Sequence, residues 1–291
     1  MALPCRIDER LTGRLMIDLH LHILPGVDDG PPNLREATAM LDWMASVGYS
    51  QLVATPHLME PLNSVYAGVV NATFRQVAPL ASQRGIVLHT GFEHMVAKNL
   101  PQRLATGEAS TLAGSRAVLM EVPFIGWDYS TDRVLYELQS QGFRPILAHP
   151  ERYIEALARP ELVQALAERG VILQLTLAAI AGTYGSPVRD LARRLLVWSL
   201  ETNLPFLLAT DAHSTGRRLT DSLAGRKWIE RNVGNGRQVL EWAGHGIPAA
   251  LIEDQPLPSF DDWVRLNPPG NPPRPAARKG FLRSLNPLSR S

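Results

Sequence analysis

Asp18, His20 and His22 alternate along an apolar stretch that runs from Arg14 to Ile23. Side chains of a β-strand point to opposite faces with a period of two, so these three project from the same face. Burying two imidazoles and a carboxylate on one face of an apolar strand is costly unless they have polar partners. A metal ion is one such partner. Taken alone, the motif also fits hydrogen-bonded histidines at the rim of a barrel.

Further histidines and acids follow other predicted strands. The strands are seven short apolar runs, at 15–21, 51–54, 86–90, 117–121, 145–148, 171–176 and 205–209. Six of them end at or near candidate ligands, which are His20, His22, His57, Glu93, Glu121, His149, Asp211 and His213. In barrels of parallel strands, active sites are assembled at the carboxyl ends of the strands. We therefore predict that these side chains meet at one rim.

This donor set contains imidazoles and carboxylates but no thiolate, which suits zinc, manganese or iron. The donors outnumber what a single ion takes, so the sequence predicts a cluster of two or three divalent ions. Clusters of this type activate water and stabilise an in-line displacement at phosphorus.

Two acids and several arginines adjoin these candidates. Asp28 and Asp29 lie in a loop after the first histidine pair, and Asp is also common in turns, so one is expected to bind metal and the other to be structural. Arg152 and the pair Arg217-Arg218 also follow predicted ligands. A guanidinium beside metal ions fits an anionic substrate lying between them, and its planar fork matches a phosphate. A salt bridge to a neighbouring carboxylate is the alternative.

The strands alternate with helical patterns. One begins at the cap Asn33 and ends near Gly48, another has Ser186 as its predicted N-cap, and others cover 65–84, 131–141 and 160–169. Seven strands alternating with helices imply a parallel sheet, either closed as a barrel or open and doubly wound. No glycine-rich phosphate-binding loop follows the first strand, which argues against a nucleotide-binding fold.

Composition excludes several classes of protein. The net charge is +1, and residues 265–291 contribute +6, so residues 1–264 carry −5. A negatively charged main part of the chain argues against a nucleic-acid-binding domain. Cys5 is the single cysteine, and Leu11 stands where a thiol-dependent phosphatase would carry its phosphate-binding arginine. No segment resembles a signal peptide or a membrane span, so we expect a cytoplasmic protein.

Three regions are predicted: an N-terminal extension at 1–13, a catalytic domain at 14–255, and a Pro-rich basic tail at 256–291 that we expect to be disordered. The charge of the tail is compatible with an anionic surface or an acidic partner.

The strings DLHLHILPGVDDG, TPH, G-x-E, LAHPERY and DAH occur in this order. Together they resemble the bacterial metal-dependent protein-tyrosine phosphatases of capsular and exopolysaccharide operons, within the polymerase and histidinol phosphatase superfamily. The resemblance covers most of residues 14–250. It implies an α/β fold, a distorted (β/α)7 barrel with its metal site at the carboxyl rim of the strands.

The resemblance also implies how the ligands are shared among the ions, with Mn²⁺ favoured over Zn²⁺, Fe²⁺ or Co²⁺. One ion would take His20, His22, Glu93 and Asp211; Glu93 would bridge to a second, held also by Glu121 and His149. The third would take His57, His213 and an acid of the Asp28-Asp29 pair, with Asp29 favoured. Arg152 and Arg218 match the phosphate-binding arginines of the family.

The activity implied is hydrolysis of phosphotyrosine in a protein, with a tyrosine kinase of polysaccharide export as the expected partner. A small-molecule phosphatase acting on histidinol phosphate or a sugar phosphate is one alternative, and a non-catalytic, metal-stabilised assembly module is another. After His57 the family usually carries a basic loop with aromatics, whereas residues 57–64 here are nearly neutral. That departure leaves the preferred substrate open.

Overall fold

The protein is described from a computed structural model, which covers residues 15–123, 127 and 129–268. The β-strands are β1 (Met16–Leu21), β2 (Tyr49–Ala54), β3 (His57–Leu58), β4 (Val87–Thr90), β5 (Glu93–Met95), β6 (Ala117–Glu121), β7 (Arg144–Ala148), β8 (Ile172–Thr176) and β9 (Phe206–Ala209). The α-helices are α1 (Leu34–Ser46), α2 (Ser64–Ser82), α3 (Leu100–Thr106), α4 (Tyr129–Ser140), α5 (Ile154–Ala158), α6 (Glu161–Glu168), α7 (Leu177–Ala181), α8 (Ser186–Glu201), α9 (Arg217–Asn232), α10 (Gly236–Glu241), α11 (Ile247–Ile252) and α12 (Phe260–Leu266).

All paired strands are parallel and follow chain order around the sheet. β2 and β3 are two parts of one strand path interrupted at Pro56, which has no N–H to donate, and β4 and β5 are separated at Gly91. Counted by path, the described residues form seven strands. The last meets the first: the Asp211 N–H donates to the His20 carbonyl at 2.9 Å, and the His22 N–H donates to the Ala212 carbonyl at 2.9 Å. The predicted distorted (β/α)7 barrel is confirmed.

The two faces of β1 show how the sequence produces this arrangement. All six of its residues are buried, as is usual for a parallel strand covered by helices on one side. Ile17, Leu19 and Leu21 belong to the apolar core, whereas the alternate residues Asp18 and His20 are buried among polar groups.

Helix ends are set largely by local chemistry. The Asn33 side chain accepts a hydrogen bond from the Glu36 N–H at 3.0 Å, so the predicted cap of α1 is confirmed. The prediction for α8 is wrong by one residue: Gly185 precedes the helix, and Ser186 is its first residue and provides no side-chain cap. With Pro187 in the first turn, where a missing N–H costs little, the helix begins without that cap.

The predicted boundary of the tail is also wrong. The chain beyond 255 forms α12, whose side chains Phe260 and Trp263 are buried, and the Trp242 indole donates to the Pro258 carbonyl at 2.9 Å. Two aromatic residues at helical spacing explain the packing, which the nearby prolines obscured in the sequence. Cys5, the predicted extension 1–13 and residues 269–291 of the predicted tail lie outside the described residues. Among the helices that are described, none is long and apolar enough to cross a membrane.

Candidate metal centre

All nine predicted ligands lie together at the carboxyl ends of the strands. His20, His57, Glu93 and Glu121 lie near the carboxyl ends of their strand paths. The others lie in the loops that follow β1, β7 and β9. They form four overlapping groups whose ligand atoms lie within 4.8 Å of one another: His22, Asp29, His57 and His213; His20, Glu93 and His149; His20, His22 and Asp211; and His57, Glu93 and Glu121.

Glu93 stands at the centre of the groups. Its Oε2 atom lies 3.2 Å from His20 Nε2, 3.3 Å from His22 Nε2 and 3.1 Å from His57 Nδ1, and its Oε1 atom lies 3.0 Å from His149 Nε2. The position agrees with a bridging carboxylate. The grouping differs in detail from the division implied by the family resemblance, because His22 also joins Asp29 and His57 also approaches Glu121.

The outer hydrogen bonds of two histidines define which ring nitrogens face the centre. His20 Nδ1 lies 2.7 Å from Gln174 Oε1, and His22 Nδ1 lies 2.6 Å from Asp28 Oδ2. Both partners are acceptors, so each Nδ1 is the protonated nitrogen and each Nε2 presents a lone pair in the neutral ring. The two Nε2 atoms are only 3.3 Å apart.

These lone pairs point at each other beside two carboxylates. His20 Nε2 is 3.4 Å from Asp211 Oδ1 and 3.2 Å from Glu93 Oε2. Acceptors that converge in a buried place need a cation among them, either protons on the rings or metal ions. Imidazoles held by a carboxylate or an amide from behind are the usual form of metal-ligating histidines. The donor set therefore fits divalent metal ions.

The charges of the protein groups have strong effects on the imidazoles. Burial disfavours protonation of His20, but Glu93 and Asp211 outweigh it and raise its pKa to about 9. The same balance, with Asp28 and Glu93 as the anions, raises the pKa of His22 to about 10. Burial opposes the ionisation of Glu93. The charge of His20 and hydrogen bonds to Glu93 from His149, His20 and His22 outweigh burial and hold the pKa of this carboxyl well below its usual range. The carboxylates thus stabilise positive charge within this cage of ligands, either on the imidazoles or as metal ions.

The adjacent acids Asp28 and Asp29 have different positions. Both carboxylate oxygens of Asp28 accept hydrogen bonds from the protein. Oδ2 accepts from His22 and from the His57 N–H at 3.1 Å, and Oδ1 accepts from the Gly30 N–H at 3.0 Å. Asp29 Oδ1 instead faces His213 Nε2 at 3.2 Å and His57 Nε2 at 3.5 Å. The geometry makes Asp28 the residue that orients His22 and groups Asp29 with the candidate ligands.

The backbone is strained at two of the candidate ligands. His149 and Asp211 have positive φ angles of 34° and 51°, in the left-handed region that residues other than glycine rarely adopt. His149 also precedes a proline, which disfavours helical backbone at that position. Such conformations persist where the surrounding structure imposes them, and they concentrate at functional sites.

Two arginines converge on one oxygen atom of the centre. Arg152 Nη1 donates to Asp211 Oδ2 at 2.9 Å, and Arg218 Nη1 donates to the same oxygen at 3.3 Å. The neighbouring Arg217 is exposed and pairs with Asp221 at 3.5 Å. Of the two adjacent arginines, the structure therefore brings Arg218 to the centre and turns Arg217 away.

Sequence reasoning missed two supporting residues. Tyr184 lies between the arginines, with Arg152 Cζ 4.7 Å and Arg218 Cζ 5.7 Å from its ring centroid. It stands in a loop with no motif to indicate it. Gln174 carries a clear signal in the sequence, because it is a polar residue within the apolar strand 171–176.

Three polar residues near the ligands do not join the four groups. Asp18, on the same face of β1, accepts from the Thr210 hydroxyl at 2.6 Å and so ties β1 to the end of β9; burial raises its pKa to about 6. His94 donates to the Ser110 carbonyl at 2.8 Å and lies on the other face of β5 from Glu93. His89 contacts Gln51 Oε1 at 3.0 Å and is part of the β4–β2 pairing rather than of the centre.

Comparison with known proteins gives consistent results. Residues 16–240 match the family described as capsular polysaccharide synthesis, CpsB/CapC. The chain is 31% identical over 256 residues to the tyrosine-protein phosphatase YwqE of Bacillus subtilis (strain 168), which covers 87% of this chain and 95% of YwqE. It is 31% identical over 205 residues to the putative tyrosine-protein phosphatase CapC of Staphylococcus aureus, covering 70% of this chain and 79% of CapC.

A solved structure shares the fold over nearly the whole chain. It comes from crystallographic work on YwqE from Bacillus subtilis and CpsB from Streptococcus pneumoniae, described as unique metal-dependent tyrosine phosphatases. The TM-score is 0.68 at 27% sequence identity, and the alignment covers 90% of this chain and 100% of the other.

Proposed function

This chain belongs to the capsular polysaccharide synthesis family CpsB/CapC, and on that premise we propose that it is a metal-dependent protein-tyrosine phosphatase. The observation that supports this most directly is the position of the buried Nε2 atoms of His20 and His22, which lie 3.3 Å apart beside Glu93 and Asp211. A cage of this kind fits divalent cations.

We assign the nine grouped residues as the ligands of two or three ions, with Mn²⁺ as the favoured metal. His20, His22 and Asp211 would hold one ion, Glu93 with His149 and Glu121 a second, and Asp29 with His57 and His213 a third. Ions bound in this way lower the pKa of water towards neutrality and offset charge on a phosphoryl group.

The arginines have a separate role in this proposal. Each uses one guanidinium nitrogen on Asp211 Oδ2, which fixes its direction at the edge of the cage. In this proposal the two guanidinium groups donate charge-assisted hydrogen bonds to phosphoryl oxygens of the substrate. The phenolate leaving group has a parent pKa of about 10, so its departure depends less on a dedicated acid than that of an alkoxide.

Access to the centre favours a protein substrate. The Asp29 side chain is 64% exposed and that of His57 is 27% exposed, so one side of the centre opens to solvent. A phosphotyrosine on a polypeptide can reach ligands at such a rim. That the polypeptide is a kinase of polysaccharide export, and that the reaction takes place in the cytoplasm, remain predictions from the family resemblance.

Activity measurements test the proposal. Protein supplied with Mn²⁺, Co²⁺ or Zn²⁺ should hydrolyse p-nitrophenyl phosphate and phosphotyrosine peptides, lose activity with a chelator, and retain it after thiol alkylation. His149→Ala should be inactive, whereas His89→Asn, outside the four groups, should not. A strong preference for histidinol phosphate would indicate a small-molecule phosphatase, and inactivity with every metal would indicate an assembly module.

A further inference from the structure

Exposed apolar side chains lie beside the candidate metal centre on the β3 side of the rim. We call Met59, Pro61, Val65 and Val69 the apolar shoulder. Met59 is 55% exposed, Val65 75% and Val69 44%. Val65 and Val69 are four residues apart, so they share one face of the first turns of α2. All four of these exposed apolar residues fall within the short segment 59–69, and such a concentration is a candidate binding surface.

Hydrogen bonds hold the shoulder in a fixed position relative to the metal centre. The Tyr66 hydroxyl, in the first turn of α2, donates to the carbonyl of His57 at 2.8 Å. The Leu62 N–H donates to the Glu108 carbonyl at 2.7 Å. Asn63 caps α2 by accepting from the Tyr66 N–H at 2.9 Å. A surface fixed in this way binds a partner with little loss of its own conformational entropy.

The position of the shoulder determines which part of a substrate it can contact. Met59 stands two residues after His57, one of the grouped ligands. An extended peptide advances about 3.3–3.6 Å per residue, so residues a few positions from a phosphotyrosine held at the centre are within reach of the shoulder. The charged neighbour within the loop, the exposed Glu60, is an acid and would repel an acidic flank.

We propose that the apolar shoulder binds apolar side chains that flank the phosphotyrosine of the substrate polypeptide, and so sets a sequence preference for this enzyme. The inference rests on the proposed phosphatase function and adds the class of substrate. The nearly neutral loop at residues 57–64 forms part of the surface that makes this preference.

The test compares peptides that differ only in the flanks. Phosphotyrosine peptides with leucine, serine or glutamate on both sides are assayed against Mn²⁺-loaded enzyme, with p-nitrophenyl phosphate as the flank-free substrate. We expect kcat/KM for the leucine peptide to exceed that for the serine peptide on the order of tenfold. The glutamate peptide should be the poorest.

The variant Met59→Gln/Val65→Thr/Val69→Thr changes polarity at nearly constant shape. It should lose the preference for leucine flanks through a raised KM, with activity on p-nitrophenyl phosphate unchanged. Val87→Thr is the matched control: Val87 is 53% exposed at the amino end of β4, away from the rim, so its change should leave the preference intact.

Different results separate the possible failures. Equal kcat/KM for leucine and serine flanks, or a preference that survives in the triple variant, would overturn the inference while leaving phosphatase activity in place. A change of oligomeric state in the triple variant, measured by light scattering, with peptide kinetics unchanged would show that the shoulder joins copies of the chain instead. Inactivity on every phosphate ester would refute the proposed function itself.

Discussion

The side-chain oxygen of Gln174 lies 2.7 Å from Nδ1 of His20 and also accepts the backbone N–H of His149 at 3.2 Å. One buried amide on β8 therefore orients a candidate ligand on β1 and the strained backbone of another after β7. Partners behind metal-ligating histidines fix the tautomer and the direction of the ring. This contact makes Gln174 part of the metal centre without being a ligand.

Gln174→Leu should weaken metal binding about 10–100-fold, because His20 loses the acceptor that fixes its tautomer. Gln174→Glu keeps an acceptor in the same place and should bind metal far better than the leucine variant. Titration with Mn²⁺ followed by isothermal calorimetry measures both affinities. Equal affinities for the two variants would show that the His20 contact does not matter.

Replacements of the adjacent acids should have different effects. Asp29→Ala removes a candidate ligand and should lower the number of ions bound. Asp28→Asn should keep the number of ions but lower their affinity, because the carboxylate orients His22 rather than joining the grouped ligands. Metal content of the dialysed variants, together with their Mn²⁺ affinities, distinguishes the cases. A lower ion count for Asp28→Asn with a normal count for Asp29→Ala would reverse the assignment.

Replacing Tyr184 should affect phosphate binding through the arginines. The ring packs against both guanidinium groups, and each such contact is worth about 0.5–2 kcal/mol. Tyr184→Leu should therefore raise KM for p-nitrophenyl phosphate by about tenfold. Tyr184→Phe retains the ring and should behave as wild type, since the Tyr184 hydroxyl has no hydrogen-bond partner among the described residues. A defect equal in the two variants would point to the hydroxyl.

Metal binding should release protons near neutral pH. The pKa values of about 9 for His20 and about 10 for His22 mean that both rings carry protons at pH 7, and a metal ion must displace them. Affinity for Mn²⁺ should consequently rise with pH from 7 towards 9. Calorimetry at pH 7 in two buffers with different ionisation enthalpies gives the number of protons released. A value of zero would contradict this account.

Much of the fold was predictable from local patterns. Five of the seven apolar runs match their strand paths within one residue at each end, because buried parallel strands are continuous apolar segments. The runs at 51–54 and 86–90 match β2 and β4 within two residues, but the short continuations β3 and β5 were not predicted. The breaks at Pro56 and Gly91 could not be placed, since they depend on how each strand meets its neighbours around the barrel. The helix Phe260–Leu266 was missed because prolines on both sides were given more weight than its two aromatic residues.

The residues of the site were easier to predict than the contacts that each of them makes. Residues at or just after the carboxyl ends of barrel strands meet at one rim, so their positions in the sequence were enough to identify the nine candidates. Which acid of the Asp28-Asp29 pair faces the other ligands depends on the turn after His22, and which of Arg217 and Arg218 points inward depends on where α9 begins. Both are set by tertiary packing. Tyr184 acts through contacts with Arg152 and Arg218, which are distant from it in sequence, so no local pattern indicates them.

The central claim is that imidazoles and carboxylates from separate strands hold a shared group of metal ions. The most direct test is metal analysis of the purified protein after loading with Mn²⁺ and gel filtration, in parallel with the double variant His20→Ala/His57→Ala. We predict about two to three ions per wild-type chain. The variant should bind fewer, because it lacks a ligand from each of the four groups. Fewer than about one ion per wild-type chain, or the same content in both proteins, would contradict the account.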